Sequence, residues 1–166
     1  ISHLDGKTIF VRGALPGERV RAKIILVKPT FDIAILEKII LISPDRVDAP
    51  CPHFGKCGGC DVQHLCYDSQ LAFKRDYVAQ TLQKVGKISA PVQPVVASEH
   101  KFRYRNKVSF PVRAGKEGVK IGLFAKGSHR VVETNDCLLQ YEWNSTLISV
   151  LKKFMSDYSL SGYDED

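Results

Sequence analysis

Four of the five cysteines in this chain fall within sixteen residues, in "CPHFGKCGGCDVQHLC" from Cys51 to Cys66, with Gly55, Gly58 and Gly59 packed among them. Thiols at that density have three uses: a disulfide staple, a redox dithiol or a metal centre. An odd cysteine total and no secretory signal argue against an oxidised extracellular framework, so the chain is read as cytoplasmic. A redox Cys-x-x-Cys belongs at the start of a helix after a buried strand, and nothing strand-like precedes Cys57.

Two metal readings remain. Zinc would take Cys57 and Cys60, with Cys51, His53 or His64 completing a tetrahedron, but no second Cys-x-x-Cys or His pair follows. An iron–sulfur cluster suits the spacing better, because a larger inorganic core needs several thiolates wrapped round it by one loop and commonly takes another from distant sequence. Glycines let the backbone pass close to inorganic sulfides and adopt the positive φ angles of a tight wrap. The spacing departs from the bacterial ferredoxin run, so the motif alone leaves zinc and iron–sulfur both open.

Hydrophobic residues make up 44% of the 166 positions, enough for a proper core. The longest apolar runs are far shorter than the ~20 residues of a bilayer span, so no membrane partner is expected. The net charge of +6 is unevenly placed: residues 101–130 hold nine Lys or Arg against Glu117 alone, and the remainder is slightly acidic. So local a basic patch is the footprint of a polyanion, and the interleaved Phe102, Tyr104 and Phe110 point to RNA.

Residues 8–42 carry a strand pattern. "TIFV" is a short apolar run and "ALPGE" a turn, after which "RVRAKIILV" sets Val20, Ala22 and Ile24 against Arg19, Arg21 and Lys23; "FDIAILEKIILI" then extends the sheet. A small antiparallel barrel of the oligonucleotide-binding type is expected over residues 1–45. "SPDRVDAP" reads as a linker. Beyond it, residues 46–166 are expected to form a second α+β domain, with a cysteine-rich loop, a mixed antiparallel sheet and two helices. The first helix would be capped by Asp68 or Ser69, carry Leu71, Val78, Leu82 and Val85 on one stripe, and end at Gly86. Strands are expected in "KVSFPV", "VKIGLFA" and "HRVVE", with a turn at "RAGKEG". The second helix would lie between Tyr141 and Tyr158, with Trp143, Leu147, Leu151, Phe154 and Tyr158 on its apolar stripe. The start at Ile1 and the acidic stop at "SGYDED" are read as cuts within a longer protein.

Four stretches, "DGKTIFVRGALPGERV", "CPHFGKCGGCDVQHL", "YRNKVSFPV" and "IGLFAKGSHRVVETNDCLLQ", together resemble the iron–sulfur branch of the bacterial RNA 5-methyluridine methyltransferases, in that family's order and over nearly the whole chain. The resemblance implies a TRAM domain at the start and a 4Fe-4S cluster held by Cys51, Cys57, Cys60 and Cys137. It also implies an S-adenosylmethionine domain, absent here, in which a cysteine attacks C6 of a uracil, C5 is methylated and a base removes the C5 proton. No catalytic residue is carried over. Cys66 matches no ligand position and is expected to be a free, buried or helix-adjacent thiol.

RNA contacts are expected from Arg12, Arg19, Arg21 and Lys23 on the barrel, and from Arg103, Tyr104, Arg105, Asn106, Lys107, Lys126, His129 and Arg130 near a flipped base. Ribosomal RNA is ranked ahead of transfer RNA, and a monomer is expected. The competing reading is a freestanding, zinc-stabilised RNA-binding module.

Overall fold

A computed structural model describes residues 1–115 and 118–163. The chain is α+β and divides into two compact units: Ile1–Asp48 with His64–Gln70, and Ala49–Gln63 with Leu71–Asp166. The first unit contains strands β1 (Ser2–Leu4), β2 (Lys7–Arg12), β3 (Arg19–Val27) and β4 (Phe31–Leu41), in the order β1-β2-β4-β3. Asp5 and Gly6, both at positive φ, make the tight turn between β1 and β2. The sheet is mixed rather than wholly antiparallel. β3 returns to β4 as an antiparallel hairpin, but the chain leaving β2 skips a strand position, so β2 and β4 run parallel.

On β3 the predicted alternation holds at first: Arg19, Arg21 and Lys23 are exposed while Val20 and Ala22 are partly covered. It fails at Ile24. The register slips between Ile24 and Leu26, and this bulge leaves Ile24, Ile25 and Leu26 all exposed. The small core holds Leu15, Ala34 and Leu65, beside a buried Asp32 that accepts from Lys7 Nζ at 2.6 Å.

The "SPDRVDAP" segment is more than a linker. Arg46 donates from Nε to Glu18 Oε1 at 2.5 Å and from Nη2 to Glu18 Oε2 at 2.8 Å, and also reaches the Gly13 carbonyl at 2.7 Å. The Glu18 side chain is fully buried and accepts from the Leu15 amide as well. Its carboxyl is held down to about 2, chiefly by the Arg46 hydrogen bond.

Helix α1 (Tyr67–Lys84) begins one residue after Cys66, which takes the N-cap place expected of Asp68 or Ser69. The Cys66 thiol donates to Ser69 Oγ at 3.1 Å, and Asp68 lies in the first turn, where a carboxylate favours the helix dipole. The helix ends before Gly86 as the sequence predicts. The Leu71, Val78, Leu82 and Val85 stripe is not buried: no residue of α1 is, and Phe73 and Tyr77 pair at 6.4 Å on the opposite side. Apolar groups on two faces leave no single face for the core to cover.

The second unit is built on an antiparallel sheet, β5 (Val112–Gly115), β6 (Gly118–Phe124) and β7 (Val131–Glu133), with β6 central. The strand expected from Lys107 starts only at Val112. Pro111 has no N–H to give a ladder, and upstream the amides of Arg103 and Arg105 go to the carbonyls of Leu138 and Leu139 at 2.9 and 2.8 Å. The expected turn at "RAGKEG" includes Lys116 and Glu117, outside the described residues. β6 and β7 approach so closely at Gly122 that an added Cβ would lie 2.0 Å from the Val132 carbonyl oxygen.

Helix α2 (Trp143–Asp157) packs on β6, and Ile121 and Ile148 are the most deeply buried apolar side chains of this unit. The inward line is Asn144 and Ile148, whereas Trp143, Leu147, Leu151, Phe154 and Tyr158 are exposed. The buried line sits roughly a quarter-turn round the helix from the expected stripe. Among the described residues no helix is long and apolar enough to cross a membrane.

Candidate metal centre

The cysteine loop lies in the second unit. Its first turn is closed by the Phe54 amide on the Cys51 carbonyl at 3.0 Å, and the next by the Lys56 and Cys57 amides on His53 at 3.1 and 2.9 Å. Gly55, at φ +80°, takes the left-handed conformation that lets one turn follow the other. The loop then docks on the end of β6: Gly58 donates to the Phe124 carbonyl at 2.9 Å and Cys57 bridges Ala125. A Cβ on Gly58 would stand 3.2 Å from both the Phe124 oxygen and Lys126 Cα, so a side chain here would crowd the docked backbone.

Two donors aim at loop sulfurs. The Gly59 amide lies 3.3 Å from Cys57 Sγ, and Gln63 Nε2 lies 3.1 Å from Cys60 Sγ while Gln63 Oε1 accepts from the Cys51 amide at 3.3 Å. Gln63 thus ties two cysteines together. Sequence reasoning missed it, and its place three residues after Cys60 was the available signal.

Cys137 comes from the segment after β7. Arg103 grips the preceding residue, with Nη1 and Nη2 each 2.7 Å from an oxygen of Asp136, and Nη1 also reaches the carbonyls of Cys137 and Gln140 at 3.3 and 3.2 Å. The Gln140 amide closes the turn on the Cys137 carbonyl at 2.8 Å. Arg103 itself sits at φ +59°.

These two segments enclose one cavity of about 270 Å³ whose lining includes Cys51, Cys57, Cys60 and Cys137, with Val108, Leu123, Val132, Leu138 and Leu139 among the apolar walls. All five cysteines are free thiols. Burial pushes the Cys57 and Cys60 thiols up, opposed by the Gly59 and Gln63 hydrogen bonds and reinforced by the Cys51 and Cys137 sulfurs, which disfavour a further negative charge. Among the described residues no group of three or more His, Cys, Asp or Glu is arranged to hold a metal ion. His53 lines the cavity, while His64 is buried in the first unit, where its carbonyl accepts from Val47.

The residues expected to meet RNA are differently disposed. Arg12, Arg19, Arg21 and Lys23 are exposed on the first sheet. Tyr104 and Asn106 are exposed, and Arg105 and Lys107 are exposed at the cavity edge. The Arg103 guanidinium is engaged by Asp136. Lys126 pairs with Asp61, and both are largely exposed. His129 lies against Phe124, and Arg130 is exposed.

No protein-family model matches the chain. It is 39% identical over 167 residues to an uncharacterized RNA methyltransferase of Halalkalibacterium halodurans, covering all of this chain and 36% of that protein. An uncharacterized RNA methyltransferase of Clostridium tetani is also 39% identical, over 99% of this chain and 36% of its own length. The chain therefore spans about a third of the curated relatives it matches. Among solved structures, the Pyrococcus abyssi tRNA (uracil-54, C5)-methyltransferase in complex with S-adenosyl-L-homocysteine superposes with a TM-score of 0.64 at 26% identity, over 93% of this chain and 34% of that one. The chain is thus similar in sequence and fold to one part of RNA methyltransferases.

Proposed function

We propose that this chain is the RNA-gripping, 4Fe-4S-holding portion of an S-adenosylmethionine-dependent, cytoplasmic RNA uracil-C5 methyltransferase. The observation that supports the cluster reading is that four thiols, three from one loop and a fourth from distant sequence, line one largely apolar cavity. Zinc needs its donors about 2.3 Å from one centre. A cluster with several irons spreads its thiolates over a wider shell, and the Gly59 and Gln63 N–H groups aimed at sulfur suit thiolates that carry charge. When bound, the cluster would supply a covalent tie between the cysteine loop and the Cys137 segment.

The protein's own residues do the rest. The Arg103–Asp136 pair and the Gln140 amide hold the Cys137 turn, and Gln63 holds Cys51 and Cys60. Arg12, Arg19, Arg21 and Lys23 offer an exposed basic surface for phosphates on a sheet whose bulges favour the strong twist of a closing TRAM-like barrel. Methyl transfer is assigned to regions of the relatives that this chain does not span. Ribosomal RNA is the proposed substrate; the second reading, transfer RNA, is carried by the likeness to the Pyrococcus abyssi enzyme.

Anaerobic purification tests the cluster. Broad visible absorbance with iron and acid-labile sulfide in equal amounts, lost in Cys137→Ser and kept in Cys66→Ser, is the expected result. Colourless protein with one zinc per chain would establish the freestanding zinc module instead.

A further inference from the structure

On the outer side of the cysteine loop lies a second, more open groove of about 530 Å³, lined by Gly58, Gly59, Leu123, Phe124, Lys126 and His129 among others. Phe124 ends β6 with 40% of its surface exposed, and the His129 ring lies 5.4 Å from its centroid at 37°. The turn that carries His129 is closed by two backbone hydrogen bonds: Ser128 donates to the Ala125 carbonyl at 3.1 Å and Ala125 to the Arg130 carbonyl at 2.8 Å, with Gly127 at φ +70°. Two aromatic rings thus lie side by side at a hydrogen-bonded hairpin tip. Gly58 and Gly59 also line the groove and add no side chains to fill it.

Charge narrows the choice. Lys126 lines the groove and pairs with Asp61, and Arg130 follows the turn. Both members of that pair are more than half exposed, so exchanging the carboxylate for a phosphate costs little. A planar π-faced body with an anionic tail is what this combination receives, and in a chain read as RNA-binding that body is a nucleobase on its sugar-phosphate. We infer that the Phe124–His129 groove is a stacking site for one unpaired RNA nucleotide, its base against Phe124 and its phosphate on Lys126 and Arg130. This assignment rests on the RNA reading above. It gives the cysteine loop a second task, because Gly58 and Gly59 line the same groove.

The test measures binding of the full chain to labelled single-stranded RNA of about ten nucleotides and to an abasic strand with the same number of phosphates. The expected result is that Phe124→Ala weakens the intact strand about tenfold and leaves the abasic strand unchanged, that Phe124→Trp restores binding, and that Lys126→Ala weakens both strands. In Phe124→Trp combined with Trp143→Phe, stacking quenches the introduced indole on RNA addition, a signal that a misfolded variant does not give. Equal binding of both strands by the parent chain, or an unquenched indole in RNA-bound protein, would overturn the stacking site while RNA binding itself stood. If the parent chain bound neither strand at low salt, the RNA reading would fall with it.

Discussion

Arg103 forms a two-pronged ion pair, 2.7 Å on each prong, with Asp136, the residue that directly precedes Cys137. The geometry requires a planar fork, so lysine is not an equivalent replacement. Arg103→Lys keeps the charge but loses the second prong and the reach to the Cys137 and Gln140 carbonyls. Both partners are partly exposed, so the expected loss is about 1 kcal/mol, or about 3 °C in Tm. Because this guanidinium is occupied by protein, the salt dependence of RNA binding should not change in that variant. Thermal melts and a salt titration check the two halves separately.

Glu18 sets an acid limit on the first unit. Its carboxyl titrates near 4.5 when unfolded and at about 2 when folded, so its stabilising effect is fully present above pH 4.5 and disappears as pH falls through 2. The contribution is about 3 kcal/mol at neutral pH. Glu18→Gln leaves the Arg46 charge without its partner and costs about 3–5 kcal/mol at pH 7. Urea denaturation at pH 7 and at pH 3 should show the gap between parent and variant narrowing in acid.

Gly122 tolerates no side chain. A methyl group there would overlap the Val132 carbonyl oxygen, so Gly122→Ala is expected to separate β6 from β7 and cost about 3 kcal/mol. Amide hydrogen exchange would locate the loss: protection of Gly122, Leu123 and Phe124 should fall while the Arg19–Val27 strand keeps its own.

The basic face of β3 is read through salt. Replacing Arg19, Arg21 and Lys23 together by Gln should flatten the slope of log affinity against log salt by about 2, at ~0.7 per phosphate contact on a single strand. An unchanged slope would remove those three residues from the RNA surface.

Much of this organisation was legible from local pattern. The two helices, the β3 alternation up to Lys23 and the β6 and β7 strands follow from periodicity, and the glycines in the cysteine loop signal tight backbone geometry. Tertiary partners were not legible. "SPDRVDAP" looks like a solvated linker because nothing local shows that Arg46 will meet Glu18, and Arg103 looks like one more phosphate contact until Asp136 is brought against it. Helix α2 shows a third limit: its wide apolar surface offers several candidate faces, and only β6 selects Asn144 and Ile148. Pairing across many residues, as between β2 and β4, leaves no signature in either strand alone.

The separation of the cavity's walls along the chain sets an order of events. Seventy-six residues lie between Cys60 and Cys137, and bringing such distant segments together carries a loop-closure entropy that β5, β6 and β7 must offset before the pocket exists. A chain emerging from the ribosome offers Cys51, Cys57 and Cys60 long before their fourth companion. In the proposed reading, a cluster bound there would act as a late lock, joining segments that translation delivers at different times.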